Sequence, residues 1–230
     1  MTGSPAITSR LGGSTTTLAG AIPAQDRTIP VDEPWTSMLP AGGLQRGRVV
    51  GCDGPAAVTV AASLVAGATR AGSWVLLLGA SMIGLEALAE VGVRLDRVVA
   101  VEVDAGPASW AERAVAAADG FELIVTVPPS GAERVERQVR QRLHARGAVL
   151  VPVGVAGHTI GCDVAVTTAA PRWFGIGPGH GRLVARQADV VVGGRRVPRP
   201  VRRTLWLPGP DGRVRLADTA HDAVSELLVG

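Results

Sequence analysis

Between residues 48 and 153, five short apolar runs alternate with four longer helical stretches, and this alternation decides the architecture. The runs 48–53, 73–79, 98–103, 121–127 and 148–153 have strand length, and the stretches 55–70, 84–91, 107–118 and 131–146 between them have helix length. Trp74-Val75-Leu76-Leu77-Leu78 and Leu123-Ile124-Val125-Thr126-Val127 are apolar almost throughout, as strands covered on both faces must be. Strand and helix alternating through short connections predict an α/β fold with a doubly wound, mostly parallel sheet. After Gly161 the helices stop. Asp163–Thr168, Arg182–Val192 and Arg203–Leu207 read as strands joined without helices, so antiparallel hairpins are expected at the C-terminal edge.

The flanks differ in composition. Residues 1–30 are rich in Ser, Thr, Gly, Ala and Pro without a period, which predicts a flexible arm. The core domain is expected over 31–208, opening on a short helix from Pro34 to Leu39. Residues 209–230 follow as a turn, Pro208-Gly209-Pro210-Asp211-Gly212, and a helix from about 217 to 228 whose apolar face includes Val224, Leu227 and Leu228. That helix either caps the core or docks in a partner's groove.

The chain contains no lysine, asparagine or tyrosine, so all 23 basic residues are arginine. GC-rich coding accounts for the bias, yet the absence removes Schiff-base lysines and tyrosine acid/base chemistry. Cys52 and Cys162 form no metal pattern and read as small buried residues of a reducing compartment. No secretory signal and no membrane-length apolar run is visible, so a cytoplasmic protein without membrane contact is expected. Charge is unevenly spread: Arg172 to Arg215 holds ten arginines against Asp189 and Asp211, on an otherwise mildly acidic chain. A basic block of this kind suits an acidic partner.

Gly47-Arg48-Val49-Val50-Gly51-Cys52-Asp53-Gly54-Pro55 runs into the apolar stretch Ala56–Arg70. Strand, glycine turn and helix is where nucleotide-binding α/β folds hold phosphates, because a helix N-terminus offers free N–H groups and a positive dipole end. A GxxxxGK[ST] loop also needs a second glycine, a lysine and a Mg²⁺-binding hydroxyl. The glycine and the lysine are missing.

Order and spacing resemble the RecA family core over roughly residues 35–170. Leu44-Gln45-Arg46-Gly47-Arg48-Val49-Val50 with Gly54-Pro55 looks like the strand entering its phosphate loop, and Glu90-Val91-Gly92-Val93-Arg94-Leu95-Asp96-Arg97-Val98-Val99 is similar to a further segment of the family. Where the family has its catalytic glutamate this chain has Ala80, and where it has a metal-binding aspartate it has Val127. The two DNA-binding loops look trimmed as well. With the tail Arg172-Trp173-Phe174-Gly175-Ile176-Gly177-Pro178-Gly179-His180-Gly181-Arg182, the chain resembles the ImuA family, in particular its actinobacterial branch. That resemblance implies a RecA-like pseudo-ATPase without cofactor, a scaffold in SOS-induced mutagenic translesion DNA synthesis. The implied partners are an ImuB-type adaptor polymerase, RecA itself and an error-prone C-family DNA polymerase, with DNA as a further candidate.

The sharpest local feature is the cluster Arg195, Arg196, Arg199, Arg202 and Arg203, followed by Trp206. Five arginines beside an exposed tryptophan would anchor a protein partner, or neutralise phosphates and stack on bases, or simply line a solvated hairpin; the first reading is preferred. The helix Ala132–Arg146 carries Glu133 and Glu136 as i,i+4 partners for Arg137 and Arg140 and reads as a solvated surface helix. The competing enzyme reading rests on Gly79-Ala80-Ser81-Met82-Ile83-Gly84 with Glu102, a partial S-adenosylmethionine or dinucleotide pattern lacking its middle glycine. His158, His144, His180 and His221 lack metal spacing.

Overall fold

The computed structural model describes residues 27–104, 106–154, 160–177 and 180–217. Its first strand is Thr28–Pro30 (β1), with Ile29 fully buried. These residues carry too short a run to show a period, which is why composition placed them in the arm; burial instead extends the core back to them. After the short helix Trp35–Met38 (α1), β1 pairs antiparallel with Gly43–Gln45 (β2).

The alternating core follows as expected. Its strands are Val50–Asp53 (β3), Val75–Leu78 (β4), Val98–Val101 (β5), Leu123–Thr126 (β6) and Val149–Pro152 (β7). Between them lie Ala57–Arg70 (α2), Leu85–Glu90 (α3), Pro107–Ala117 (α4) and Glu136–Arg146 (α5). The helix predicted from residue 131 is broken: Ala132–Arg134 is a 3₁₀ turn, and Val135 has non-helical angles before α5 begins. Four strands are parallel in the order β5-β4-β6-β7, and bridges Val49↔Leu150 and Cys52↔Val153 set β3 beside β7. β3 then pairs in parallel with Val164–Gly177 (β8), and antiparallel His180–Gly193 (β9), Val201–Trp206 (β10) and Arg215–Leu216 (β11) complete the edge.

Strand alternation explains the apolar runs. Val75 and Leu77 point into one core with Val60 and Leu64 of α2, while Leu76 and Leu78 point into a second core with Trp110 of α4 and Leu143 of α5. Buried hydrogen bonds pin each side: Trp35 Nε1 donates to Ser63 Oγ at 2.9 Å, and Trp110 Nε1 donates to Thr126 Oγ1 at 2.9 Å. β8 and β9 are longer than their sequence suggests, 14 residues each. Register shifts between Ala169 and Arg172 and between Phe174 and Ile176 absorb Pro171 and Gly175, which read as strand breakers. Arg215–Leu216 ties the C-terminal turn to the sheet; Val224, Leu227 and Leu228 lie outside the described residues. Among the described residues no helix is long and apolar enough to cross a membrane.

Replacing Trp110 by Ala should empty a buried site and orphan the Thr126 hydroxyl. Urea denaturation is expected to register a loss of about 3–5 kcal/mol.

Candidate functional site

The turn from β3 into α2, where a phosphate would lie, is closed by the chain's own groups. Gly54 has φ +91, and a Cβ there would lie 2.1 Å from the carbonyl oxygen of Thr168 on β8, so only glycine fits this approach. Thr168 Oγ1 accepts from the Ala56 amide at 3.0 Å and donates to the Asp53 carbonyl at 3.1 Å. The Gly54 amide donates to Asp53 Oδ1 at 2.7 Å, and the Ala57 amide to the Gly54 carbonyl at 3.1 Å. Three amides of the turn are therefore already bonded, one of them to a carboxylate that repels anions.

Arg186 of β9 latches the same turn from above. Its Nε donates to the Leu207 carbonyl at 2.7 Å, Nη1 to the Pro55 carbonyl at 3.3 Å and Nη2 to Thr59 Oγ1 at 2.8 Å. The guanidinium also stacks 4.7 Å from the Trp173 ring centroid. Burial pushes its pKa down, and among the described residues no carboxylate pairs with it; carbonyl dipoles and the indole face carry the charge instead. Sequence reading missed Arg186 and Thr168. A lone arginine in an apolar strand reads as a polar-face residue, and its partner Thr59 lies 127 positions away.

Ala80 follows β4 as a buried residue and Val127 follows β6, the positions set against the family's glutamate and aspartate. The Gly79–Gly84 segment is a tight turn: the Gly79 amide donates to Val101 at 2.9 Å and the Ile83 amide to Ala80 at 2.9 Å. Glu102 is exposed beside it, and neither lines the recesses found elsewhere on the fold. His158 and His221 lie outside the described residues, while His144 and His180 are exposed. Cys52 is buried and Cys162 partly so; both are free thiols.

The arginine cluster divides. The turn at Gly194 brings Arg195 and Arg196 to Asp163: the Arg196 amide donates to its carbonyl at 3.0 Å, and the two guanidiniums lie 3.7 and 3.9 Å from Oδ1. Arg199 is exposed in the following loop, whereas Arg202 and Arg203, adjacent on β10, point to opposite sides of the strand. Trp206 is a correction: it is 1% exposed, its ring 5.0 Å from that of Phe174. Leu205 and Leu207 beside it face the core, while Trp206, on the opposite face of the strand, is covered by Phe174 and by the Arg215 guanidinium 5.5 Å from its ring centroid, so it is not the exposed ring expected. The exposed tryptophans among the described residues are Trp173 and Trp74, at 50% and 43%.

On α5 the expected Glu136–Arg140 pair is present, but among the described residues Arg137 has no such partner, and Arg142 and Arg146 instead pair with Asp119. Arg140 Nη1 also donates to Asp163 Oδ2 at 3.0 Å. Burial alone would raise the Asp163 pKa. The Val49 amide, which donates to it at 3.0 Å, and the Arg140 and Arg195 guanidiniums outweigh burial and hold the carboxyl below its ordinary 3.8.

The profile of a family described as the MT3502 N-terminal domain matches residues 37–158. No curated protein shows significant sequence similarity to the chain. Among solved structures, the crystal structure of the RadB recombinase superposes with a TM-score of 0.55 at 12% identity, covering 79% of this chain and 96% of that one. The fold is thus RecA-like, α/β with a mostly parallel sheet and antiparallel strands at one edge.

Arg186→Met keeps the side chain's length but strands three acceptors. It should lower stability by about 2–4 kcal/mol in urea denaturation. Asp163 predicts a pH signature. Its folded pKa lies below the unfolded value, so its contribution is complete above the ordinary 3.8 and fades as pH falls through the folded value. Asp163→Asn should therefore be less stable at pH 7, with the gap to wild type closing below about pH 4 in denaturation curves collected across that range.

Proposed function

The chain belongs to the MT3502 N-terminal domain family, and from that premise and its RecA-like fold we propose that it is a scaffold working without nucleotide chemistry. The observation that carries this reading is the closed turn after β3. A phosphate arriving there would have to displace Thr168 from the Ala56 amide, Asp53 from the Gly54 amide and Arg186 from the Thr59 hydroxyl. The same bonds hold the turn in one shape, so the sheet and α2 need no γ-phosphate to be organised. The chemistry of such a protein is association rather than bond-making.

The finer reading takes its direction from the resemblance to the ImuA family of a RecA-like core without the ATP-hydrolysis residues, together with the 172–182 tail and an arginine-rich end. In it, the protein links an ImuB-type adaptor polymerase, an error-prone C-family DNA polymerase and RecA during SOS-induced mutagenic translesion synthesis in the cytoplasm. Arg199 in the loop before β10 and Arg202 and Arg203 on its two faces, all exposed, support a partner-facing role for this portion of the chain. Isolated exposed ion pairs contribute little each, so affinity at such an edge would come from several arginines acting together.

Titration with ATP and Mg²⁺ to millimolar concentration should give no saturable heat in calorimetry and no phosphate release. In parallel, intact protein should recover ImuB and RecA from DNA-damaged cells, and an Arg199→Glu, Arg202→Glu, Arg203→Glu variant should not. Saturable nucleotide binding would sink the nucleotide-free scaffold; absence of both partners from the intact protein would sink the translesion assignment while leaving the closed turn untouched.

A further inference from the structure

A second surface lies at the other end of β3, away from the closed turn. There a recess of about 960 Å³ is bounded by α5 on one side, by Arg48 and Asp163 at its base, and by the Arg195–Arg196 turn opposite. A neighbouring recess of about 740 Å³ continues it past Arg48, His144 and Arg196 toward Arg27 and Arg146. Together they make an elongated trough along α5. Eleven helical residues rise ~16 Å, the length of about five extended peptide residues.

The trough is over-supplied with cations. Among the described residues no side-chain hydrogen bond or ion pair engages Arg48 or Arg137. Arg195 and Arg196, 65% and 52% exposed at the side chain, share with Arg140 a single carboxylate, that of Asp163. That carboxylate already accepts the Val49 amide. Arg140 Nη2 is buried and lacks an acceptor. Guanidiniums held together without enough carboxylates repel one another, and an incoming anion relieves that repulsion.

We propose that this trough binds an extended acidic peptide segment of a partner protein. Its elongation disfavours a compact ligand. Glu133 and Glu136 line it beside the arginines and would oppose a continuous phosphodiester chain more than carboxylates spaced to avoid them, and no tryptophan, tyrosine or phenylalanine lines either recess, which leaves the His144 imidazole as the one aromatic ring for a base to stack on. Gln45 and Gln141 offer neutral donors and acceptors suited to peptide amides. Carboxylates spaced along the peptide would meet Arg48, Arg137 and the Arg195–Arg196 pair in fork geometry. The proposal holds whichever assembly the chain serves, because none of these residues touches the closed turn.

The test is fluorescence polarisation on the full chain with a labelled peptide of about ten residues rich in Asp and Glu, its Asn/Gln counterpart, and a single-stranded oligonucleotide of about 20 nucleotides. The acidic peptide should bind saturably and the Asn/Gln peptide should not. The double variant Arg48→Glu, Arg137→Glu should weaken binding roughly tenfold or more, and Arg94→Gln, at an exposed arginine that lines neither recess, should leave it unchanged. If charge reversal unfolds the chain, as thermal melting would report, Arg48→Gln with Arg137→Gln should still weaken the peptide severalfold. Binding undiminished by the folded variants, or no binding of the acidic peptide, overturns the proposal. So does an oligonucleotide that binds more tightly than the peptide at the same salt and is lost in the double variant, which would assign the trough to nucleic acid.

Discussion

The seam at β3 is the constraint on which the rest of the structure depends. On one side β3 meets β7 through two bridges, and on the other it pairs with β8 over four residues. Among the described residues β3 is the strand that joins the parallel half of the sheet to the antiparallel half. The approach of Gly54 to the Thr168 carbonyl closes the seam at one end, and the Val49 amide on Asp163 closes it at the other. Both contacts join β3 to the beginning or middle of β8, more than 110 residues later. Local propensity cannot supply such contacts; they form when the two halves are already together.

Arginine carries every cationic task in this chain, and the tasks demand different things of it. Arg186 is buried without a carboxylate and is held by carbonyls, a hydroxyl and an indole face. A lysine there would be pushed toward its neutral form by burial, whereas guanidinium stays charged and offers donors in several directions. Arg140 shows the complementary use, bridging carboxylates on α5 and at the start of β8. A compositional bias toward arginine thus becomes a structural resource at these two positions.

The parallel core was legible because strands covered on both faces must be apolar at consecutive positions, as Val75–Leu78 and Leu123–Thr126 are. The hairpin edge was legible from the loss of helical stretches after Gly161. Less could be read where one residue has to be assigned a side. Trp206 reads as exposed because it lies on the strand face opposite Leu205 and Leu207, and what covers it there, Phe174 of β8 and Arg215 of β11, is brought in only by the tertiary fold. Ile29 was missed because three strand residues show no period. Arg186, Thr168 and Asp163 were missed for a deeper reason: their partners are distant in sequence, and nothing in their own neighbourhoods marks them.

β11 ends the sheet after two residues, directly after a turn held by the Gly209 amide on Arg213 and beside the charged side chains of Arg213 and Arg215. An edge strand this short offers almost no ladder of free backbone groups, and arginines next to it discourage a second β-edge from approaching. Growth of the sheet from one molecule into the next is therefore discouraged along β11, which covers Leu205 and Trp206 of β10. What meets β11 itself would do so through side chains rather than through its backbone.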